Sequence, residues 1–220
     1  MDAPPAEDAD PAVVDLLGMM AAGELLAFER LAHDAALAPT IEDKAELARM
    51  AVAEFSHFTV LREHLAKIGA DPTAAMEPFV DPLAEFHRRT APSNWLEGLV
   101  KAYVGDGLAA DFYREIGGFL EPTTHDLVQE VLADTGHSQF AVEHVRAAIA
   151  ADPRVAGPLA LWGRRLRGEA LTQAQRVAAE RDALVSLVIG GSIGFNELGA
   201  MLGRLTAAHS DRMAALGLDP

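Results

Sequence analysis

Half of the 220 residues are apolar, the formal net charge is −15 and there is no cysteine. Such a chain is long enough to bury one well-formed core, and the missing thiols exclude disulfides, thiolate metal sites and thiol catalysis. The acidic field also opposes nucleic acid, which would need a local basic face to dock.

Residues 1–10, beginning Met1-Asp2-Ala3-Pro4-Pro5, are acidic and proline-rich, without a basic and then apolar run. They read as a disordered tail on a cytoplasmic protein, ahead of a single domain over 11–220. A first helix is predicted over 11–37, and a second over 41–68 behind a capping box at Thr40 to Asp43, ending at Gly69. Residues 71–92 carry four prolines and a short helical piece around Pro82 to Arg89. That length suits a link between two parallel helices, which must travel the bundle, about 30 Å for a 20-residue helix. A third helix is expected over 94–119 behind a Ser93 cap and a fourth over 124–151, closing a four-helix core over 11–151. After Pro153 a short helix around Gly157 to Leu166 and a long helical segment from Thr172 to about Ala215 make an extension over 152–216, with Gly190, Gly191 and Gly194 as points of bending or close packing. The longest uncharged run, Ala183 to Asn196, is short of the roughly 20 residues that span a bilayer and reads as a buried helix, so no membrane partner is expected. The fold class is all-α.

Within this frame one pattern occurs twice. Glu54-Phe55-Ser56-His57 followed by Glu63-His64 recurs, at a constant offset of 80 residues, as Asp134-Thr135-Gly136-His137 followed by Glu143-His144. An acid three residues before a histidine on a helix puts both side chains on one face, where they can grip one ion. Each pair follows a helix with a lone acid in an apolar seam. Glu24 lies among Leu17, Ala21, Phe28 and Leu31, and Asp106 among Leu99, Tyr103, Ala110 and Tyr113. Helices joined as hairpins bring facing residues level about their turn. The midpoint of Glu24 and Glu54 is Pro39, and that of Asp106 and Asp134 is residue 120, beside Glu121-Pro122-Thr123.

Unpaired buried carboxylates cost several kcal/mol or become neutral. Four inward acids and two histidines therefore call for cations, and two divalent metals balance the four carboxylates. A network of buried salt bridges is the alternative, but the seams supply no Lys or Arg to match.

The constellation of Glu24, Glu54-x-x-His57, Asp106 and Asp134-x-x-His137 resembles the di-iron carboxylate site of the ferritin-like superfamily, over about residues 12–150, and within it most resembles the MiaE-like group, similar to the hydroxylase of a prenylated tRNA adenosine. The chain departs from the usual pattern at 106 and 134, where Asp stands in place of Glu and shortens the reach by one methylene; glycines at 105, 107 and 136 let the backbones approach. The resemblance implies a four-helix bundle with a long crossover and two Fe ions, Mn or mixed Mn/Fe suiting the same ligands. Glu54 and Asp134 would bridge the metals and Glu24 and Asp106 would be terminal ligands. The implied activity is O2-dependent hydroxylation of an organic substrate in a pocket lined by Phe28, Phe55 and Tyr103, fed by an external electron donor.

The same ligands also suit a ferroxidase or iron-handling protein and a dimanganese peroxide scavenger, and a metal-free interaction module is the remaining reading. The tRNA partner implied by the resemblance is disfavoured by the charge, since the basic candidates, Arg88-Arg89 and Arg164-Arg165-Leu166-Arg167, read as solvated helix surface. A homodimer through a helix face is compatible. His64 and His144 read as serving the ends of their helices, Tyr103 and Tyr113 as core, Glu29 and Asp111 as partners of the ligand histidines or of Arg30 and Arg114, and Glu197 as facing the site or capping a polar edge.

Overall fold

Two apolar clusters, one at each end of a long bundle, organise the chain. The first joins Leu16 to Ala22, Phe58 to Leu65, Phe79, Ile116 and Val128. The second joins Leu31, Leu47 to Ala51, Leu99 to Val104, Val145 and Leu166. The computed structural model describes residues 10–133, 137–190 and 195–220. Among the described residues every regular element is a helix, as the sequence predicts.

Helix α1 spans Pro11–Asp34, capped by the Asp10 side chain on the Ala12 amide, with proline in its first turn where no hydrogen bond is lost. Pro39 lies in the turn that leads to α2, Ile41–Lys67, whose Thr40 hydroxyl accepts from the Asp43 amide at 3.1 Å. Helix α4 is Trp95–Gly117, α5 Pro122–Val131 and α6 His137–Ala151. Late α1 shares a cluster with early α2 and early α4, while early α1 shares the other with late α2 and late α4. Helices α2 and α4 therefore run parallel, and α1 runs against both.

The crossover that this topology needs is a helix in its own right. Helix α3, Pro72–Arg89, returns the length of the bundle, with Ala75 and Phe79 in the first cluster and Phe86 against the second. The short helical piece expected there is thus 18 residues long and runs through Pro78 and Pro82. Each of those prolines removes one backbone donor, and burial of Phe79 and Pro82 against the bundle offsets the loss.

Three other expectations need correction. Asn94, not Ser93, caps α4: its side chain accepts from the Glu97 amide, while Ser93 donates to the Glu97 carboxylate. The fourth helix is two helices, since α5 ends at Val131 and α6 begins at His137. The region after Pro153 has a continuous α7, Ala156–Glu180, where a gap near residue 168 was expected, followed by α8, Asp182–Gly190, and α9, Phe195–Ala215.

These last helices brace α4. The Trp162 indole donates to the Glu97 carbonyl at 3.0 Å, and Arg204 binds both oxygens of Glu115 at 2.7 Å. Arg212 donates to the Gly107 carbonyl at 2.9 Å and to Asp111 at 2.8 Å.

Helix α1 with its following turn, 11–37, is long and apolar enough to cross a membrane, and half of its most apolar window is buried in the fold. It packs on α2, α3 and α8, which accounts for that composition as a core helix.

Close approach is decided at Gly18, where a Cβ would overlap the Ala75 carbonyl of α3, whereas a Cβ at Gly168 in α7 would meet open space. Gly168→Ala should therefore stabilise by up to about 1 kcal/mol, the ordinary helix gain. Gly18→Ala should destabilise by roughly 1 to 3 kcal/mol, because α1 and α3 must separate. Urea unfolding of both variants checks the opposite signs.

Candidate metal centre

Between the two apolar clusters lies a cavity of about 420 Å³, and the carboxylates meet there. On each of three helices an acid falls in the gap between the residues given to one cluster and those given to the other. Glu24 lies between Ala22 and Leu31, Glu54 between Ala51 and Phe58, and Asp106 between Val104 and Tyr113. The hairpin of α1 and α2 puts Glu24 level with Glu54, and one helical turn carries Glu54 to His57. The ligand atoms of Glu24, Glu54 and His57 all lie within 4.8 Å of one another.

His57 Nδ1 stands 3.5 Å from Glu24 Oε2 and 3.9 Å from Glu54 Oε2. Glu54 is buried, at 9% exposure, and Glu24 and His57 are half-buried. Burial first, and then Glu24 beside it, push the Glu54 carboxyl up to about 7. Glu24 first, and then Glu54, hold the His57 imidazole protonated up to about 10. The proton on His57 is thus the cation that the pair of acids holds when no other is supplied.

Asp106 brings a fourth group from α4. It lines the cavity and is exposed to solvent there, while the protein around it first, and Glu54 second, raise its pKa well above the carboxylate range. Asp134 lies outside the described residues. His137 opens α6, and its side chain also lies outside the description. Of the six residues that the sequence pattern singles out, the structure gathers Glu24, Glu54 and His57 within 4.8 Å and lines the same cavity with Asp106.

A metal ion fits this donor set. Glu24 Oε2 is buried without a hydrogen-bond partner, and two carboxylates with one imidazole suit Fe or Mn. Deprotonated ligands are required, so a bound cation would displace the proton from His57.

Two readings of the surroundings change. The seams are not free of cations: Lys101 is buried at 4% exposure, and Arg30, Lys101 and Arg212 all line the cavity. No seam position marks them, and only the Arg30 to Asp34 spacing, closed as an ion pair at 3.2 Å, could have signalled the first. The cavity is also lined differently from the pocket that the sequence suggested. Tyr103 and Tyr113 face it, but Phe55 is 45% exposed and its ring packs on Phe28 at 5.3 Å.

The second histidines have separate duties. His144 Nε2 pairs with Asp43 at 3.0 Å, tying α6 to α2, and its Nδ1 lies 2.9 Å from the Phe140 carbonyl. His64 has a buried Nε2 without a partner. Asp111 serves Arg212 and Arg114, and Glu29 is exposed. The Glu197 side chain lies outside the described residues. Tyr113 is buried with its hydroxyl against Gly23, and burial raises its pKa, with Glu24 adding to the rise.

A family model described as "Ferritin-like domain, actinomycetes" matches residues 7–191 of the 220, and the chain belongs to that family. No curated protein matches the chain.

In the metal-free protein both raised groups bind protons in the folded state that the unfolded chain releases. For Glu54 that window runs from its ordinary 4.5 to about 7, and for His57 from its ordinary 6.5 to about 10. Folding stability should therefore fall as pH rises through these windows. The His57 contribution is fully present below 6.5 and lost through about 10. An NMR titration of the His57 ring should find it protonated above pH 8, and Glu24→Gln should return it toward the ordinary histidine range.

Proposed function

We propose, from membership in this ferritin-like family, that the protein is a non-haem di-iron protein of the MiaE-like type, an O2-dependent hydroxylase acting on a small organic substrate. The observation that carries the reading is the convergence of Glu24, Glu54 and His57 within 4.8 Å in a cavity that Asp106 also enters. Glu24, Glu54, His57 and Asp106 would hold the metals, with Asp134 and His137 as the sequence-predicted remainder of the set. A pair of Fe ions so held would supply the redox chemistry that puts one oxygen atom of O2 into a C–H bond and releases the other as water, using two electrons from an external donor and two protons.

The chain's own contribution is to bind and to exclude. The two apolar clusters flank the cavity, so a substrate there would lie against apolar side chains on either side of the acids. Its volume of about 420 Å³ is in the range of small-molecule sites. Glu54, near neutral pH in its titration, can hold or release a proton beside the substrate. The Tyr113 hydroxyl stays protonated and borders the same space.

A small substrate is favoured over tRNA. Beside the net charge of −15, Arg165 donates to the Arg89 carbonyl at 2.6 Å and Arg164 to the Asp219 carbonyl at 3.1 Å. Arg88 and Arg89 pair with Glu85. Arg88, Arg89, Arg164 and Arg165 thus each have a partner within the fold, which weakens the case for a phosphate backbone.

Elemental analysis of protein from Fe- and Mn-supplemented cells should find about two metals per chain, falling to one or fewer in Glu54→Ala and in Asp134→Ala. Reductant-dependent O2 uptake by the iron form would then support the oxygenase. Peroxide dismutation without reductant would favour the dimanganese reading, and assembly into a cage with iron uptake the storage reading. Fewer than about 0.2 metals per chain, unchanged by substitution, would overturn the metal centre.

A further inference from the structure

The cavity has a second polar end that the metal centre does not use. Arg30 lies six residues beyond Glu24 on α1, and Lys101 five residues before Asp106 on α4. At the helical rise these steps are about 9 Å and about 8 Å. Because α1 and α4 run in opposite directions, both lead to the same end. His87, from α3, lines this end with them.

The polar groups there are incompletely matched. Arg30 Nε and His87 Nδ1 are buried without a hydrogen-bond partner, as is the acceptor Asp34 Oδ1, which meets Arg30 only as an ion pair. Lys101 Nζ donates to the Thr90 carbonyl at 2.9 Å and stands 5.6 Å from the centre of the Phe86 ring. Asp34, 3.2 Å from Arg30, is the only acid among the described residues that ion-pairs with these groups. Two cations against one carboxylate leave one positive charge. Buried donors and charges in such excess are costly unless a ligand meets them. Burial first, and mutual repulsion second, lower Lys101 to about 8 and His87 to about 3, with Asp34 and Asp106 opposing the shift at Lys101. The wall between the two polar ends is apolar, with Ala27, Leu31 and Leu83 among its residues.

We propose that this end anchors the carboxylate of an amphiphilic monocarboxylate, with Arg30, Lys101 and His87 as donors and the apolar chain reaching toward Glu24, Glu54 and His57. The assignment rests on the functional reading above and narrows its substrate class. A monoanion cancels the single excess charge, whereas a phosphate dianion overshoots it. The planar Arg30 fork suits a carboxylate, and the distance of about 9 Å between the polar ends suits a chain of medium length.

The test is calorimetric titration of octanoate into the full-length, metal-free protein, with octanol, octylamine and octyl phosphate as comparators. Octanoate should bind at least about tenfold more tightly than octanol, the worth of one charge-assisted pair. Octylamine should give no binding, and octyl phosphate should bind more weakly than octanoate. Arg30→Met should weaken octanoate about tenfold or more and Arg30→Lys less, each with a wild-type circular dichroism spectrum. The comparison of ligands on the wild-type protein stands even where a variant fails to fold. Equal binding of octanoate and octanol, or tighter binding of octyl phosphate, would overturn the proposal. Two metals per chain without octanoate binding would overturn it while leaving the metal centre intact. Octanoate binding by a chain that takes up no metal would support the anion end and overturn the oxygenase.

Discussion

A pair of carboxylates held in the gap between two apolar clusters is the constraint on which the structure turns. Glu24 and Glu54 cannot both stay charged there unless a cation joins them, since an uncompensated buried charge costs several kcal/mol. His57 supplies one as an imidazolium, and a metal would supply more. Either way the helices must keep the three groups within 4.8 Å. This requires the register of the α1 and α2 hairpin, and that register rests on the Pro39 turn and the Thr40 cap.

Helix α4, which carries Asp106, is positioned by parts of the chain beyond the four-helix pattern. The crossover α3 packs on α1, closely enough at Gly18 to leave no room for a side chain. From the other side α7 and α9 fasten α4 through Trp162, Arg204 and Arg212. Those contacts lie on both sides of Asp106, at Glu97, Gly107, Asp111 and Glu115. The C-terminal helices thus fix where the Asp106 carboxyl stands relative to Glu24, Glu54 and His57. The same cavity carries acids at its middle and cations at one end, a polarity that suits an oriented, amphiphilic occupant.

The half of the site on α1 and α2 was legible because its signals are local. An acid in an apolar seam, an acid and a histidine one turn apart, and a capped helix start all act within a few residues, and the midpoint rule joins them. Elsewhere long-range packing overrode local signals. Pro78 and Pro82 read as breakers, yet α3 continues through both because tertiary burial outweighs the lost backbone bonds. Gly168, poor in helices, sits inside α7. The division of the fourth helix into α5 and α6 was missed although Gly136, a costly helix residue, lies between them in sequence. Arg30, read only as a surface partner for Glu29, and Lys101 were not placed at the cavity because periodicity marks apolar seams, whereas these long side chains reach it from flanking positions.

The account stands on a cation held by Glu24, Glu54 and His57. Anomalous diffraction from a crystal of the iron-reconstituted protein, recorded on either side of the iron edge, tests this most directly. The account predicts an iron peak in bonding contact with the Glu24 and Glu54 carboxylates and the His57 ring, with a second peak toward Asp106. An anomalous map without a peak in the cavity, with His57 still paired to Glu24 as in the metal-free protein, would contradict it.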